Sequence, residues 1–323
     1  MKTNLIIVGI LCSTILMGGC SKSDDTTETV TTTNTTSKNV GGTSTTKGDM
    51  TKTKYSVSNF IDLTASLPMD VEITFVEENR TEVTIECDAA IADKYTVKQN
   101  GTSIDITKKD GVKEIKTKNK TTAHITVKTL SAIKGLGAST IKFKNKLKRE
   151  DLTLTLDEAS SLTGDIEINM FVFDGKGASD TTVKGDSRKV TTTLDQGAVL
   201  NFNGNTEILK STLSGASTFS LKGSSKAQTF NATLKGASTF NAIGVMTTDE
   251  FTVKADGSST VMAEDLEIKK LDCICTTGSS VYVGKTTEIE TKVTEASKLN
   301  YRGEPKFTKK ESDITSTIEK SLL

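Results

Sequence analysis

The side chains with the most evident chemical potential are two acidic pairs, Asp157-Glu158 and Asp249-Glu250, a single histidine, His124, and the closely spaced thiols Cys273 and Cys275. Paired carboxylates can divide general-acid and general-base work at a glycosidic bond, the chemistry of a polysaccharide lyase or hydrolase. Both pairs fall at or near strand ends, where charge is expected in any case. The chain has no tryptophan and only 4 tyrosines to stack on sugar rings. A Cys-x-Cys pair without a nearby histidine lacks the four ligands of a zinc site. His124 precedes Ile125 and Val127, whose alternation turns them inward and the imidazole outward into solvent. These residues therefore predict no catalytic, metal or cofactor site, with a polysaccharide-active β-helix enzyme as the alternative.

The elements that would position such residues are set by a repeat. Gly-Ala-Ser or a close relative begins at Gly137, Glu158, Gly177, Gln196, Gly215, Gly236, Gly257, Thr277 and Glu295, at steps of 18 to 21 residues. A fixed period of this size marks stacked units, each dependent on its neighbours to bury its apolar face. Two residues past each marker stand Ser139, Ser160, Ser179, Ala198, Ser217, Ser238, Ser259, Ser279 and Ser297, small groups suited to a tight corner. Four residues past it stand Ile141, Leu162, Thr181, Leu200, Phe219, Phe240, Val261, Val281 and Leu299, which read as an inward column. Before the markers, runs such as Leu152, Leu154, Leu156 and Phe251, Val253, Ala255 alternate with polar residues at the period of a half-buried strand. Short strands joined by small corners and stacked about 4.8 Å apart give an all-β, single-domain parallel β-helix of about 20 residues per rung, right-handed by the crossover rule. Cys273 and Cys275 then fall on inward positions as small hydrophobes. The near-constant rung length leaves no room for long loops to wall a catalytic groove.

Residues 1–19 join Lys2 to an apolar run and end in Gly18-Gly19 before Cys20, which resembles a lipoprotein signal peptide. Cys20 is the expected lipidation site and membrane anchor, carrying palmitate-type acyl chains. The acidic Ser21-Lys22-Ser23-Asp24-Asp25 resembles the surface-export signal of Bacteroidetes lipoproteins, and Asp25-Thr26-Thr27 resembles an O-glycosylation signal, with Thr26 as the acceptor. Residues 20–54 read as an acylated cysteine followed by a threonine-rich disordered linker. The β-helical domain is expected over 55–307 and a polar tail over 308–323. With 41 basic and 41 acidic residues there is no electrostatic case for a nucleic-acid partner. The basic run from Lys142 to Arg149 alternates with apolar residues and reads as a strand edge and corner. Thr153-x-Thr155 and Thr191-x-Thr193 would suit an ice or crystal surface, but Val172 and Asp174 interrupt that array.

Phe60-x-x-Leu63, Val71-Glu-Ile73, Val83-Thr-Ile85, Asn100-Gly101 leading to Ile104-Asp-Ile106, Ile125-Thr-Val127 leading to Gly137-Ala-Ser139, and Leu299-Asn-Tyr301-Arg-Gly303-Glu-Pro305 together resemble the head GIN domain family, named for auto-transporter adhesins of Bacteroidetes-type surface lipoproteins. The resemblance runs from about residue 55 to 307 and implies the same β-helical fold. It implies an outer-membrane lipoprotein, facing the periplasm or the exterior, that offers a non-catalytic binding surface to a glycan or protein. Glu158, Gln196, Thr277 and Glu295 stand where the family's corners usually carry glycine, which predicts less sharp corners there. Lys128-Thr129 stand where a proline is common. The tail from Lys306 is too short and polar for the membrane barrel that the word auto-transporter suggests.

Overall fold

The computed structural model describes residues 32–35 and 49–321, Ser225 excepted, so Cys20 and Thr26 lie outside the described residues. The fold is a β-solenoid of about nine turns with roughly 20 residues per turn. Each rung carries a first strand after the corner, as in Thr140–Phe143, and a second, bent strand before the next corner, as in Leu147–Leu156. Polar and apolar residues alternate along these strands, so one face of each sheet is dry and the other wet.

The inward column of the first sheet stacks in parallel register from Val71 through Ile141, Leu162, Thr181, Leu200, Phe219, Phe240, Val261 and Val281 to Leu299 and Ile318. On the second sheet Leu152, Phe171, Val190, Leu209, Phe230, Phe251, Leu271 and Ile289 stack in the same way and are all 0 % exposed. The sheets meet through aromatic contacts, with the Phe171 and Phe202 rings 6.1 Å apart and Phe240 and Phe251 also 6.1 Å apart. Size is balanced between rungs: a Cβ on Gly164 would meet the Phe143 ring at 2.3 Å, so this glycine is the space the phenyl group fills.

The stretch before the repeat is more than additional rungs. Asp62–Ala65 and Asp70–Phe75 form a first rung, paired in parallel with Ala132–Gly135 and Thr140–Phe143. Outside it, Ser103–Lys108 and Thr122–Val127 also run parallel, but Met50–Tyr55, Glu82–Asp88 and Tyr95–Asn100 join antiparallel. The Asn100-Gly101 turn, with Gly101 at φ +56, makes the hairpin between Tyr95–Asn100 and Ser103–Lys108. These strands cover the edges of the first rung.

Two boundaries differ from the sequence reading. Met50–Tyr55, within the stretch read as linker, is held in the ladder by Glu82–Asp88, and Thr32–Thr35 pairs antiparallel with it. In the tail, Lys306–Ser312 and Thr317–Lys320 add a further partial rung. Ile314-Thr315-Ser316 is one more degenerate corner, placing Ile318 over Leu299.

A second corner column lies eight residues past the marker, at Gly185, Gly204, Gly223 and Gly244. A Cβ on Gly204 would stand 1.9 Å from the Gly185 carbonyl oxygen, so the backbone of one rung rests directly on the next.

Candidate functional site

The marker corners are the sharpest features of the rung, and they are structural. All nine marker residues are left-handed, including Glu158 (φ 58), Gln196 (φ 58), Thr277 (φ 55) and Glu295 (φ 60). The four non-glycine corners are thus as sharp as the glycine ones, contrary to the expectation from their side chains. Side-chain carboxylates, from the preceding residue at Glu158 and Gln196 and from the next rung at Glu295, accept hydrogen bonds from their backbone N–H groups. Asp157 Oδ1 accepts the Glu158 N–H at 2.7 Å, Asp195 Oδ1 the Gln196 N–H at 3.0 Å, and Asp313 Oδ2 the Glu295 N–H at 2.6 Å. The corner serines are all buried. Ser217, Ser238 and Ser259 donate to the carbonyls of Ser214, Lys235 and Asp256 at 2.7, 2.7 and 2.6 Å.

This arrangement assigns Asp157 to corner geometry. Asp249 pairs with Lys269 at 2.6 Å, and that hydrogen bond, with Lys226 adding to it, holds the carboxyl below the usual range. An acid held ionised in this way is a poor proton donor. Cys273 and Cys275 point inward as expected, and Cys87, in the capping strand Glu82–Asp88, is also buried. Burial raises all three thiols, Cys87 and Cys275 to about 11. Such thiols are inert as nucleophiles near neutral pH. Among the described residues no three His, Cys, Asp or Glu side chains are grouped to hold a metal ion.

His124 faces outward but is not freely solvated. Its Nε2 lies 3.0 Å from Glu86 Oε2 and its Nδ1 3.5 Å from Glu72 Oε2, while Lys52 and Lys144 approach these carboxylates at 3.4 and 3.1 Å. A charge ladder therefore crosses the capping strands. The Lys144 hydrogen bond holds Glu72 below its ordinary value; burial would raise Glu86, but His124 and Lys52 override it and hold it low. In the basic run, Lys146 and Lys148 share Glu167 at 3.6 and 3.9 Å.

Two outward features could contact a ligand. On the first sheet Thr163, Thr182, Asn201, Ser220 and Asn241 stack in register and lead to Met262 and Tyr282, an uncharged hydroxyl and amide strip. On the second sheet the bend in three successive rungs forms a groove of about 550 Å³ lined by Glu207, Lys226, Gln228, Thr229, Asp249 and Glu250. The Glu207 carbonyl accepts both the Gln228 N–H at 2.8 Å and the Thr229 N–H at 3.3 Å, which marks the bend that opens the concavity. Donors and acceptors of both signs line it, a surface for polar ligands rather than apolar ones. The Asp249-Glu250 pair singled out in the sequence lies in this groove, at a bend within Met246–Ala255 rather than at a strand end, whereas Glu207, Lys226, Gln228 and Thr229, which complete the lining, stand at the least regular point of each rung and were missed. No helix among the described residues is long and apolar enough to cross a membrane.

The family model described as "Putative auto-transporter adhesin, head GIN domain" matches residues 59–226 and 196–305. Three crystal structures share the fold. A protein described as a putative adhesin from Bacteroides fragilis NCTC 9343 superposes with a TM-score of 0.58 at 14% identity, covering 68% of this chain and 98% of its own. A putative adhesin from Parabacteroides distasonis ATCC 8503 gives 0.51 at 14% identity, covering 85% and 98%. Another from Parabacteroides merdae ATCC 43184 gives 0.51 at 13%, covering 84% and 96%. Among curated proteins none matches the chain in sequence.

Proposed function

Because the chain belongs to the putative auto-transporter adhesin, head GIN domain, family, we propose that it is a lipid-anchored protein of the cell envelope whose solenoid is a non-catalytic binding surface for a glycan or a protein. The observation that carries this reading is the groove across three rungs, where Gln228, Lys226 and the carboxylates of Glu207, Asp249 and Glu250 offer hydrogen-bond donors and acceptors side by side. The uncharged strip on the other sheet, ending in Met262 and Tyr282, extends the surface available to a long ligand. The lipid anchor rests on the sequence around Cys20, and Thr26 is the proposed site of O-glycosylation. An outer-membrane location in a Bacteroidetes-type cell fits both the signal and the organisms of the similar structures.

A glycan array probed with the chain and with a Gln228→Ala/Asp249→Ala variant tests the surface. The double variant is expected to bind about thirtyfold more weakly with unchanged melting, since polar contacts of this kind are each worth about 1 kcal/mol. Release of oligosaccharide from a bound polysaccharide would overturn the non-catalytic reading in favour of the enzyme. Metabolic palmitate labelling that persists in Cys20→Ser would remove the anchor at that residue.

A further inference from the structure

The chain as a whole carries 41 basic and 41 acidic residues, yet one end of the solenoid holds a local excess of lysine. The segment from Lys108 to Lys120 contains Lys108, Lys109, Lys113, Lys116, Lys118 and Lys120 against only Asp110 and Glu114. Asp110 is taken up by Lys98 at 3.0 Å, Glu114 by Lys116 at 3.5 Å, and Lys120 reaches Asp70. Lys94, Lys108, Lys109, Lys113 and Lys118 form no ion pair among the described residues. They are also neighbours. The Lys94 carbonyl accepts the Lys109 N–H at 2.8 Å, and Lys108 Nζ donates to the Lys113 carbonyl at 2.8 Å.

This cluster lies by the start of the capping strand Met50–Tyr55. The Asp49 carbonyl accepts the Ala89 N–H at 2.8 Å, and Ala89 opens the short 3-10 helix Ala89–Lys94 that ends at the first lysine of the cluster. Asp88, opposite Met50 in the ladder, accepts the Lys118 N–H at 2.8 Å. The Thr32–Thr35 strand pairs antiparallel with Met50–Tyr55 and places Thr32 beside Tyr55, so the segment that leads to Cys20 and the lysines share the same capping end of the solenoid, at opposite ends of one capping strand. Eleven residues lie between Cys20 and Thr32.

We infer that Lys94, Lys108, Lys109, Lys113 and Lys118 form a basic foot that docks this end of the solenoid on an anionic lipid surface. The inference rests on the proposed anchor at Cys20, which would hold the foot close to the bilayer. The two signals complement one another: an acyl anchor supplies hydrophobic insertion, and juxtamembrane lysines add electrostatic attraction that fades within a Debye length. Docked in this way, the capping strands lie at the membrane, and the groove at Glu207 to Glu250 stands several rungs further along the solenoid.

The test uses residues 21–323, which keep every described residue and lack Cys20, in co-sedimentation with vesicles of phosphatidylglycerol mixed into phosphatidylcholine and with vesicles of phosphatidylcholine alone. Binding to the anionic vesicles is expected at low salt, with a steep loss as salt rises. The double variants Lys108→Ser/Lys109→Ser and Lys113→Ser/Lys118→Ser should each lose about tenfold in partitioning, at a few-fold per lysine, while Lys→Arg at the same positions retains it. Equal partitioning to the two vesicle types, or serine variants that bind like the parent, would overturn the foot. So would tighter binding to heparin than to the vesicles, which would assign the patch to an acidic glycan. A melting curve for each variant separates lost binding from lost folding. Because this chain carries no Cys20, its result is independent of palmitate labelling: failed labelling removes the anchor alone, and failed vesicle binding removes the foot alone.

Discussion

At the scale of single residues, stability is decided at the corners. Ser238 Oγ is buried and donates to the Lys235 carbonyl at 2.7 Å, whereas Ser160 Oγ is buried with no partner among the described residues. Alanine already fills the equivalent place at Ala198. Ser238→Ala should therefore cost about 1 kcal/mol in urea denaturation and Ser160→Ala no more than about 0.5, because only the first removes a hydrogen bond. Equal losses at both sites would contradict the pairing. Thr277 is the most strained corner, a β-branched residue at φ 55. Thr277→Gly should raise stability by about 1 kcal/mol through relief of that strain, less the exposed bond from Thr277 Oγ1 to Glu295 at 2.9 Å. A lower melting temperature for this variant would show that the side-chain bond outweighs the backbone.

At the scale of the element, one rung is only as stable as its neighbours. Phe240 lies between Phe219 and Val261 in the column and contacts Phe219 at 5.5 Å between ring centres. Phe240→Asp removes the packing, by itself about 3–5 kcal/mol, and leaves a carboxylate in the dry interior. Hydrogen exchange should show amides of several adjacent rungs losing protection together; loss confined to one strand would argue against cooperative stacking. The last corner has its own dependence on pH. The Glu295 N–H, then the hydroxyl of Ser316 and the groups of Thr315, pull Asp313 down to about 2. Its folded value lies below the unfolded one of about 3.9, so its contribution is complete above that value and is lost as the pH falls toward 2. Acid should loosen the final rung in that window in the parent and not in Asp313→Ala, as read by exchange of the Glu295 amide. Elements of this kind were partly legible. The marker and the column from Ile141 to Leu299 show the period directly, because every rung repeats them. The glycines at 185, 204, 223 and 244 carry the same period and could have been found by aligning rungs on the marker. The direction of Glu82–Asp88 could not, because alternation at period two is the same for parallel and antiparallel strands. Of the groove only Asp249-Glu250 stood out; that it joins Glu207, Lys226 and Gln228 was hidden for a related reason, since a bend breaks the alternation on which the reading depends.

For the whole molecule, the open question of a solenoid is how its ends avoid joining, since an uncovered rung offers a full row of N–H and C=O groups to another chain. The N-terminal end is covered by antiparallel strands, outermost among them Met50–Tyr55 with Thr32–Thr35 and Tyr95–Asn100. The C-terminal end is guarded by side chains. The pairing of Ile289 with Phe307 and Glu290 with Lys309 skips Thr308, a bulge in the last strand of the second sheet. Lys310 then stands in line with Cys273 and Thr291, at a position that is interior in the earlier rungs, with its ammonium 4.8 Å from the Phe307 ring centre. A charge where the next rung would need an apolar side chain makes stacking of a second chain costly, while the cation and ring contact covers the half-buried Phe307 at little cost to the folded state. Lys310→Val removes the charge and completes the apolar column to the end of the molecule. Sedimentation of this variant over a range of concentrations should reveal end-to-end association above that of the parent, and more when Thr308 is also deleted to straighten the strand. If both variants sediment as the parent does, the guard lies elsewhere, and the remaining lysines of the edge, Lys306 and Lys309, become the residues that keep one solenoid from extending another.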